Sequence, residues 1–486
     1  MTEIRRYQIK RDKEVFIVNI IIKLFSTPKG KYAYDRETNS ILSLNDDEFS
    51  ALQRIQDGNA TTDDLKVLET FQRKGFCKES SLRQILHPHE KFLEFHLDSK
   101  MEKITLQVTQ NCNLRCAYCA YSGMYHQRSH TDKVMSYETM KKSADFLMHH
   151  ATNSRKVDIG FYGGEPLLEF ERIKSLVDYI KQTYPYKDIS YTITTNGTLF
   201  TEEVINFLSD SGFNVNVSID GPKEIHDKNR VFINGSGSFD SIMSSLRDIK
   251  RRNPEFFKKI SFSTVIAPGS DFKCVDDFYS ANEVIEDNFL FTTTVNEFGN
   301  IEEIQYDEKY FISYNIQRTK MLLYLLGMVE KDQVSKLVLR EIAEINRFYK
   351  NLGTTNGLRY DAHPGGPCIP GAKRTMVDAE GYLYPCERVS ESSNEMRIGH
   401  IDSGFDLNKA KQILNIGQLT QGECMACWNF VHCSLCAAAA DDGRKLSGKS
   451  RLNYCEGAMN TTLTILKTIC LLKENSFNFE EARYGK

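Results

Sequence analysis

Three cysteines in one short stretch, QNCNLRCAYCAYSG (residues 110–123), are the side chains best suited to chemistry in this chain. Cys112, Cys116 and Cys119 are spaced Cys-x3-Cys-x2-Cys, with Tyr118 directly before the last of them. Three thiolates from one loop can hold three irons of a 4Fe–4S cubane and leave the fourth iron open to a small molecule. The spacing alone also admits part of a zinc site, which wants a fourth ligand, or three chance cysteines.

Other polar motifs recur downstream at regular places. YGGEP carries Gly163, Gly164 and Glu165; the glycines let a ligand approach the backbone closely, and the carboxylate can take an ammonium group. TTNGT (194–198) carries Asn196, SIDGP (218–222) carries Ser218 and Asp220, and HDKNR ends in Arg230. Each motif alone is no more than a polar turn. With the cysteine loop after the first strand, they make four motifs at four successive strand ends, a joint argument for a site.

A second set of cysteines lies near the other end. Cys368 is followed by Gly381 and Cys386, then by Cys424-x2-Cys427-x5-Cys433-x2-Cys436, and finally by Cys455. Two Cys-x2-Cys pairs invite a zinc-ribbon reading, but seven cysteines do not divide into four-ligand zinc sites. Cys77, Cys274 and Cys470 stand apart, and Cys470, in LTILKTICLL, reads as a core residue.

The elements that must position these residues follow from periodicity. Six β-rich runs, ITLQVT (104–109), VDIGFY (157–162), ISYTITT (189–195), NVNVSI (214–219), ISFSTVI (260–266) and FLFTTTV (289–295), are mostly separated by helical segments such as YETMKKSADFLMHH and TEEVINFLSDSG. Repeated strand–helix units with right-handed crossovers imply a parallel sheet or barrel, whose chemistry sits at the carboxyl ends of its strands. Residues 307–351 read as mostly helix, and DAHPGGP breaks that pattern. From about 359 the chain is cysteine-rich and is expected to be irregular, with metal doing the work of a core. Ahead of the barrel, residues 1–97 read as a small module. It has a buried strand over VFIVNIIIKLF (15–25), hairpins through STPKGKYAYD and KYAYDRETNSILSL, and helix starts at Asn45/Glu48 and Thr61/Asp64. The second of those helices is expected to end at Gly75. Strands plus two short helices suggest a winged-helix-like module, or else a plain structural cap.

Bulk composition narrows the classes. With 486 residues the chain is too long for one ordinary core. At 41% hydrophobic and 26% charged it is a globular composition. Sixty-two basic against 65 acidic residues leave −3, so no general attraction to nucleic acid or an anionic membrane is implied. The 15–25 run is too short to span a bilayer and lacks a small-x-small cleavage site, so a cytoplasmic protein is expected. There, clustered cysteines (thirteen in all) read as metal ligands rather than disulfides.

Together the motifs resemble the radical S-adenosylmethionine (SAM) superfamily. Cys112, Cys116 and Cys119 match its CxxxCxxC triplet, Tyr118 its aromatic position, and GGEP its methionine-amine motif. The resemblance implies a (βα)6 partial TIM barrel over 98–306 and a helical bridge over 307–358. SAM would chelate the open iron, and its reductive cleavage would give a 5′-deoxyadenosyl radical that takes a substrate hydrogen. Tyr118, Gly163, Gly164, Glu165, Asn196, Ser218, Asp220 and Arg230 become candidates for holding SAM; Asp220 and the tyrosines near strand ends are also candidate acids or bases.

The C-terminal cysteines resemble the SPASM extension of radical SAM peptide-modifying enzymes, with two residues rather than the usual three in the last Cys-x-Cys interval. That resemblance implies a SPASM domain over 359–486 with two auxiliary 4Fe–4S clusters, hence three in all. Cys424, Cys427, Cys433 and Cys455 would hold one fully; Cys368, Cys386 and Cys436 would hold the other, with an iron open to a substrate thiolate. The 1–97 module resembles the leader-peptide recognition element of such maturases. The chain as a whole most resembles maturases of cysteine-rich peptides, the ranthipeptide and sactipeptide type, which install thioether crosslinks. The partners implied are a precursor peptide with leader and cysteine-rich core and a flavodoxin- or ferredoxin-type reductant, with no nucleic acid and no membrane. A carbon–carbon crosslinking maturase, an oxidising sulfatase-type maturase and a non-enzymatic iron–sulfur or zinc peptide scaffold are the alternatives.

Overall fold

The computed structural model describes residues 7–11, 14–18, 20–122, 124–125, 128–285, 287–353 and 357–480. Its centre is one ten-stranded sheet. Six strands, Lys103–Thr109, Lys156–Gly163, Asp188–Thr195, Phe213–Ser218, Ser261–Ile266 and Phe289–Thr294, lie side by side in chain order and pair in parallel. All six expected runs are therefore strands, to within a residue or two at each end.

Alternation along each strand explains the layering. In the first strand Ile104, Leu106 and Val108 are fully buried on one face, while Thr105, Gln107 and Thr109 are buried on the other. The apolar face takes the helices. Tyr137–His150, capped by Ser136, buries Met140, Ala144, Phe146 and Leu147 in the same core. The polar face lines the inside of the curved sheet. Its floor is an ion pair, Lys103–Asp158 at 2.7 Å, to which Thr192 adds a hydrogen bond of 2.9 Å.

Beyond the first strand the sheet continues. Thr375–Val377 pairs with it in parallel, and Tyr382–Tyr384, Gly399–His400 and Gly404–Phe405 add antiparallel turns. The tail from 359 is less irregular than expected. It buries Met376, Val377, Leu383, Tyr384, Ile398 and Leu414, and ends in a long helix, Cys455–Glu474. Short polar spacers between its apolar residues hide an ordinary core from periodicity, because its strands are only two or three residues long.

The amino-terminal module is a three-stranded antiparallel meander, Ile22–Ser26, Lys31–Asp35 and Ser40–Leu44, followed by helices Asp46–Gln56 and Thr62–Arg73. Both helices start on the expected capping boxes, and Gly75 adopts φ +98° just past the second, where a left-handed residue ends a helix. The single strand expected over 15–25 is not formed. Glu14–Val18 pairs with Tyr7–Arg11, whereas Ile22–Ser26 pairs with Lys31–Asp35. Each half of the apolar run finds its own partner, which a continuous hydrophobic pattern cannot reveal. Among the described residues no helix is long and apolar enough to cross a membrane.

Candidate active site

The loop leaving the first strand carries the cysteine triplet. Leu114–Cys116 forms a short antiparallel pair with Arg230–Phe232, which sets Arg230 opposite Cys116. Cys112 and Cys116 are buried, and Cys119 packs against them with Phe232. Backbone amides already point at the sulfurs: Leu114 N donates to Cys112 Sγ at 3.3 Å and Tyr121 N to Cys119 Sγ at 3.5 Å. Burial pushes the Cys112 thiol up to about 12 and the Cys116 thiol up to about 11, the latter against the pull of the Arg230 cation. Such thiols are neutral at pH 7 unless a metal takes the place of the proton.

The GGEP turn serves this loop differently from its first reading. The body that approaches the two glycines is the chain itself. A Cβ on Gly163, at φ +136°, would stand 2.1 Å from Thr109 O; one on Gly164 would stand 1.9 Å from Asn111 O. Gly164 N donates to Thr109 O at 2.7 Å and Glu165 N to Asn111 O at 2.9 Å, so the turn clamps the start of the cysteine loop. Glu165 faces inward and is fully buried. One carboxylate oxygen accepts from Leu167 N (3.0 Å) and Thr195 Oγ1 (2.8 Å), the other from Asn196 N (2.7 Å). Burial raises its carboxyl above the usual range, and these donors pull it back. The side chain offered to an ammonium group is thus occupied in tying the second strand end to the third.

Asn196, placed by that tie, reaches back to the cysteine loop. Its Nδ2 donates to Asn113 Oδ1 at 2.8 Å and lies 3.9 Å from Cys112 Sγ, while Asn113 Nδ2 donates to Thr198 Oγ1 at 2.8 Å. Ser218 ends the fourth strand, half-buried, with Asp220 just beyond it. Asp220 is fully buried, accepting from Tyr118 OH and, at 3.2 Å, from Val265 N. Arg230 Nη1 donates to Tyr118 OH at 2.9 Å and lies 4.0 Å from the Asp220 carboxylate. Burial raises the Asp220 carboxyl while Arg230 opposes that rise. This is the geometry of an anchor for Tyr118 and Arg230, with both carboxylate oxygens engaged. Arg230 keeps one donor, its buried Nε, without a partner.

The second cysteine set divides in the structure. Cys424, Cys427, Cys433 and Cys455 are neighbours, and burial pushes Cys427 up to about 12. A buried arginine, Arg451, donates from Nη1 to Cys424 Sγ at 3.2 Å and from Nη2 lies 3.7 Å from Cys433 Sγ. Cys386 and Cys436 are likewise neighbours. Cys368 is exposed and lines a cavity of about 530 Å3 together with His87, His89, His363 and Lys373. Cys274 is exposed at the start of helix Phe272–Ala281, beside Asp271, Asp277 and Lys309. Among the described residues no group of three or more His, Cys, Asp or Glu side chains closes on a single metal ion. The triplet and the four-cysteine group do fit iron–sulfur clusters on other grounds: all-sulfur donor sets, amide donors aimed at the sulfurs, and a buried arginine with an unpartnered Nε beside each.

Several residues of the site were missed in sequence. Asn113 and Thr198 adjoin motifs already singled out, and a polar side chain beside a cysteine was the available signal. A buried network joins Gln107, Tyr121, Arg128 and Glu391. Arg128 and Glu391 pair at 2.7 Å, and Gln107 Nε2 donates to Glu391 Oε2 at 2.6 Å and to Tyr121 OH at 2.9 Å. Arg128 and Glu391 are too far apart in the chain for any local signal. Arg451 stands four residues before Cys455, a spacing that would have placed it beside a helical cysteine.

A parallel partial barrel with three cysteines on its first strand-exit loop, clamped by a Gly-Gly-Glu turn, defines a class of metal-dependent redox enzymes. Residues 106–280 match the radical SAM superfamily, and this part of the chain is the radical SAM core of an enzyme. The cysteine-type anaerobic sulfatase-maturating enzyme of Clostridium novyi (strain NT) is 26% identical over 332 residues, 66% of this chain and 83% of that enzyme. The radical SAM cyclopropyl synthase TigE of Paramaledivibacter caminithermalis is 25% identical over 399 residues, 74% of this chain and 80% of that one. The solved structure of native anSMEcpe with bound AdoMet shares the fold, with a TM-score of 0.55 at 19% identity, covering 77% of this chain and 99% of that one.

Proposed function

We propose that this enzyme installs thioether crosslinks, cysteine sulfur to carbon, in a ribosomally made cysteine-rich precursor peptide. The observation that carries the reading is the pair of cysteine groups outside the barrel triplet, set in a region whose strands extend the barrel sheet itself. Relatives support a peptide substrate. Two are named as a sulfatase-maturating enzyme and a cyclopropyl synthase, and anSMEcpe has been solved with a Cp18Cys peptide.

In this reading Cys112, Cys116 and Cys119 hold one 4Fe–4S cluster. The Gly163–Glu165 turn, Asn196, Ser218, Tyr118 and Arg230 form the walls that receive SAM. Cys424, Cys427, Cys433 and Cys455 hold a second cluster, and Cys368, Cys386 and Cys436 a third, each soft thiolate suited to iron. When bound, the first cluster and SAM supply a carbon-centred radical able to remove a hydrogen from an unactivated carbon. The chain's own part is placement. Glu165 ties two strand ends together, Asp220 fixes Tyr118 and Arg230, and the polar inner face at Thr105, Gln107 and Asn216 lines the interior. The meander Ile22–Leu44 has two edge strands that pair on one side only among the described residues, and a leader peptide adds there as a further strand. A flavodoxin- or ferredoxin-type protein is the electron donor, in the reducing cytoplasm where free thiols persist.

A leader-bearing cysteine-rich peptide encoded beside the enzyme's gene tests this. After anoxic reaction with SAM and reductant, each crosslink removes two hydrogens and one alkylatable thiol. A second reading, oxidation of a single residue, is favoured by the sulfatase-maturating relatives. It gives a mass change with no link between residues on fragmentation. Unchanged mass with all thiols alkylatable refutes both.

A further inference from the structure

We infer that Arg451 raises the redox potential of the cluster held by Cys424, Cys427, Cys433 and Cys455. The inference rests on the proposal that these four cysteines hold a cluster. Arg451 is completely buried. A buried guanidinium without a counter-charge is strongly unfavourable. Yet no carboxylate lies within ion-pair distance of Arg451 among the described residues. Its neighbours are sulfur. Nη1 donates to Cys424 Sγ at 3.2 Å, Nη2 lies 3.7 Å from Cys433 Sγ, and Cys455 Sγ is 3.9 Å from the Arg451 carbonyl. Thr420 Oγ1 accepts from Nη1 at 2.7 Å and in turn lies 3.3 Å from Cys424 Sγ, so the guanidinium is held in register with the sulfurs. Nε is buried and has no partner among the described protein atoms, a donor left over beside this group.

The counter-ion of Arg451 is therefore the cysteine group. Four neutral thiols would leave the cation uncompensated. A cubane on four thiolates carries net negative charge and gains one more on reduction. A fixed cation in a low-dielectric site favours the more negative state, so it raises the potential. Hydrogen bonds to the ligating sulfurs act in the same direction. Arginine suits the task because it cannot lose its proton. Arg451 is a positioning residue here, acting through the sulfurs.

The test uses full-length protein in which Cys112, Cys116 and Cys119 are alanine, so that any iron retained is auxiliary. Iron and sulfide are counted after anoxic reconstitution, and midpoints are read by EPR-monitored titration, with Arg451→Gln and Arg451→Lys compared. With iron retained, R451Q is expected to lower one midpoint enough to change the oxidised-to-reduced ratio at least tenfold, about 59 mV for a one-electron couple. R451K is expected to stay near the parent. Iron lost from R451Q but kept by R451K at the parent potential also supports the charge role. An unmoved midpoint in iron-replete R451Q overturns it, as does loss of iron from both variants, which makes Arg451 a packing residue. A triple-alanine parent that binds no iron overturns the cluster proposal instead.

Discussion

Glu165 has a structural task beside the one its motif suggests. Its carboxylate was legible as a ligand for an ammonium group, yet three donors from the chain occupy it. Replacing it with glutamine turns an acceptor into a donor facing one of those N–H groups, a mismatch that costs about 1–3 kcal/mol. E165Q is expected to melt a few degrees lower by calorimetry and to form 5′-deoxyadenosine several-fold more slowly at subsaturating SAM. His226 and His363 bear on pH. Burial pushes His226 down to about 2 and His363 down to about 3, so both are neutral in the fold. His226 Nδ1 accepts from Asp220 N, and His363 Nε2 accepts from Gly417 N, bonds that a second ring proton would break. The unfolded chain takes up protons below about pH 6.5 and the native one does not, so stability falls as pH falls through that window. The two together are expected to remove about 2–3 kcal/mol between pH 7.5 and 5.5, checked by urea midpoints at the two values. A midpoint independent of pH would contradict the assignment.

At the scale of elements, most of the scaffold could be read from the chain. The six barrel strands and the capped helices announce themselves because alternation and capping chemistry are local. What could not be read is how elements lean on one another. Gly163 and Gly164 read as places where a ligand comes close to the backbone; the side of each that a Cβ would occupy is taken by the backbone of residues 109–112. A methyl at Gly164 would sit 1.9 Å from a carbonyl oxygen, closer than any real contact. Gly164→Ala is therefore expected to displace Cys112. Iron bound by the barrel triplet should fall by more than half on reconstitution, while far-ultraviolet circular dichroism stays at the parent value. Full iron in G164A would contradict the clamp. The two- and three-residue strands at 375–405 lay below the reach of periodicity, and the 15–25 run misled because its halves pair with different partners.

Across the whole molecule the amino-terminal module and the cysteine-rich tail are one packing unit. Phe25 and Tyr34 share a core with Leu466 and Cys470. Arg36, wholly buried, pairs with Glu37 at 2.6 Å and donates to the carbonyl of Met425 at 2.6 Å, between Cys424 and Cys427. Asn39 meets His432 at 2.7 Å, one residue before Cys433. The module thus braces the four-cysteine group, the structural-cap role considered from sequence, alongside any grip on a leader. No local pattern could show this, because the contacts join positions nearly four hundred residues apart. Arg36→Met removes the guanidinium that joins Glu37 to the Met425 carbonyl, at a cost of about 1–3 kcal/mol. It is expected to lower the melting temperature and release auxiliary iron, with the barrel cluster retained. Auxiliary iron unchanged in R36M would contradict the bracing.

In the proposed reaction a radical formed at the barrel mouth acts on a peptide carbon. It is tested most directly by giving the anoxic, reconstituted enzyme a leader-bearing cysteine-rich peptide deuterated on its core carbons, with SAM and reductant. Deuterium should appear in 5′-deoxyadenosine in step with crosslinked peptide, and not with Cys112→Ala. Ample 5′-deoxyadenosine free of deuterium, beside unaltered peptide, would contradict it.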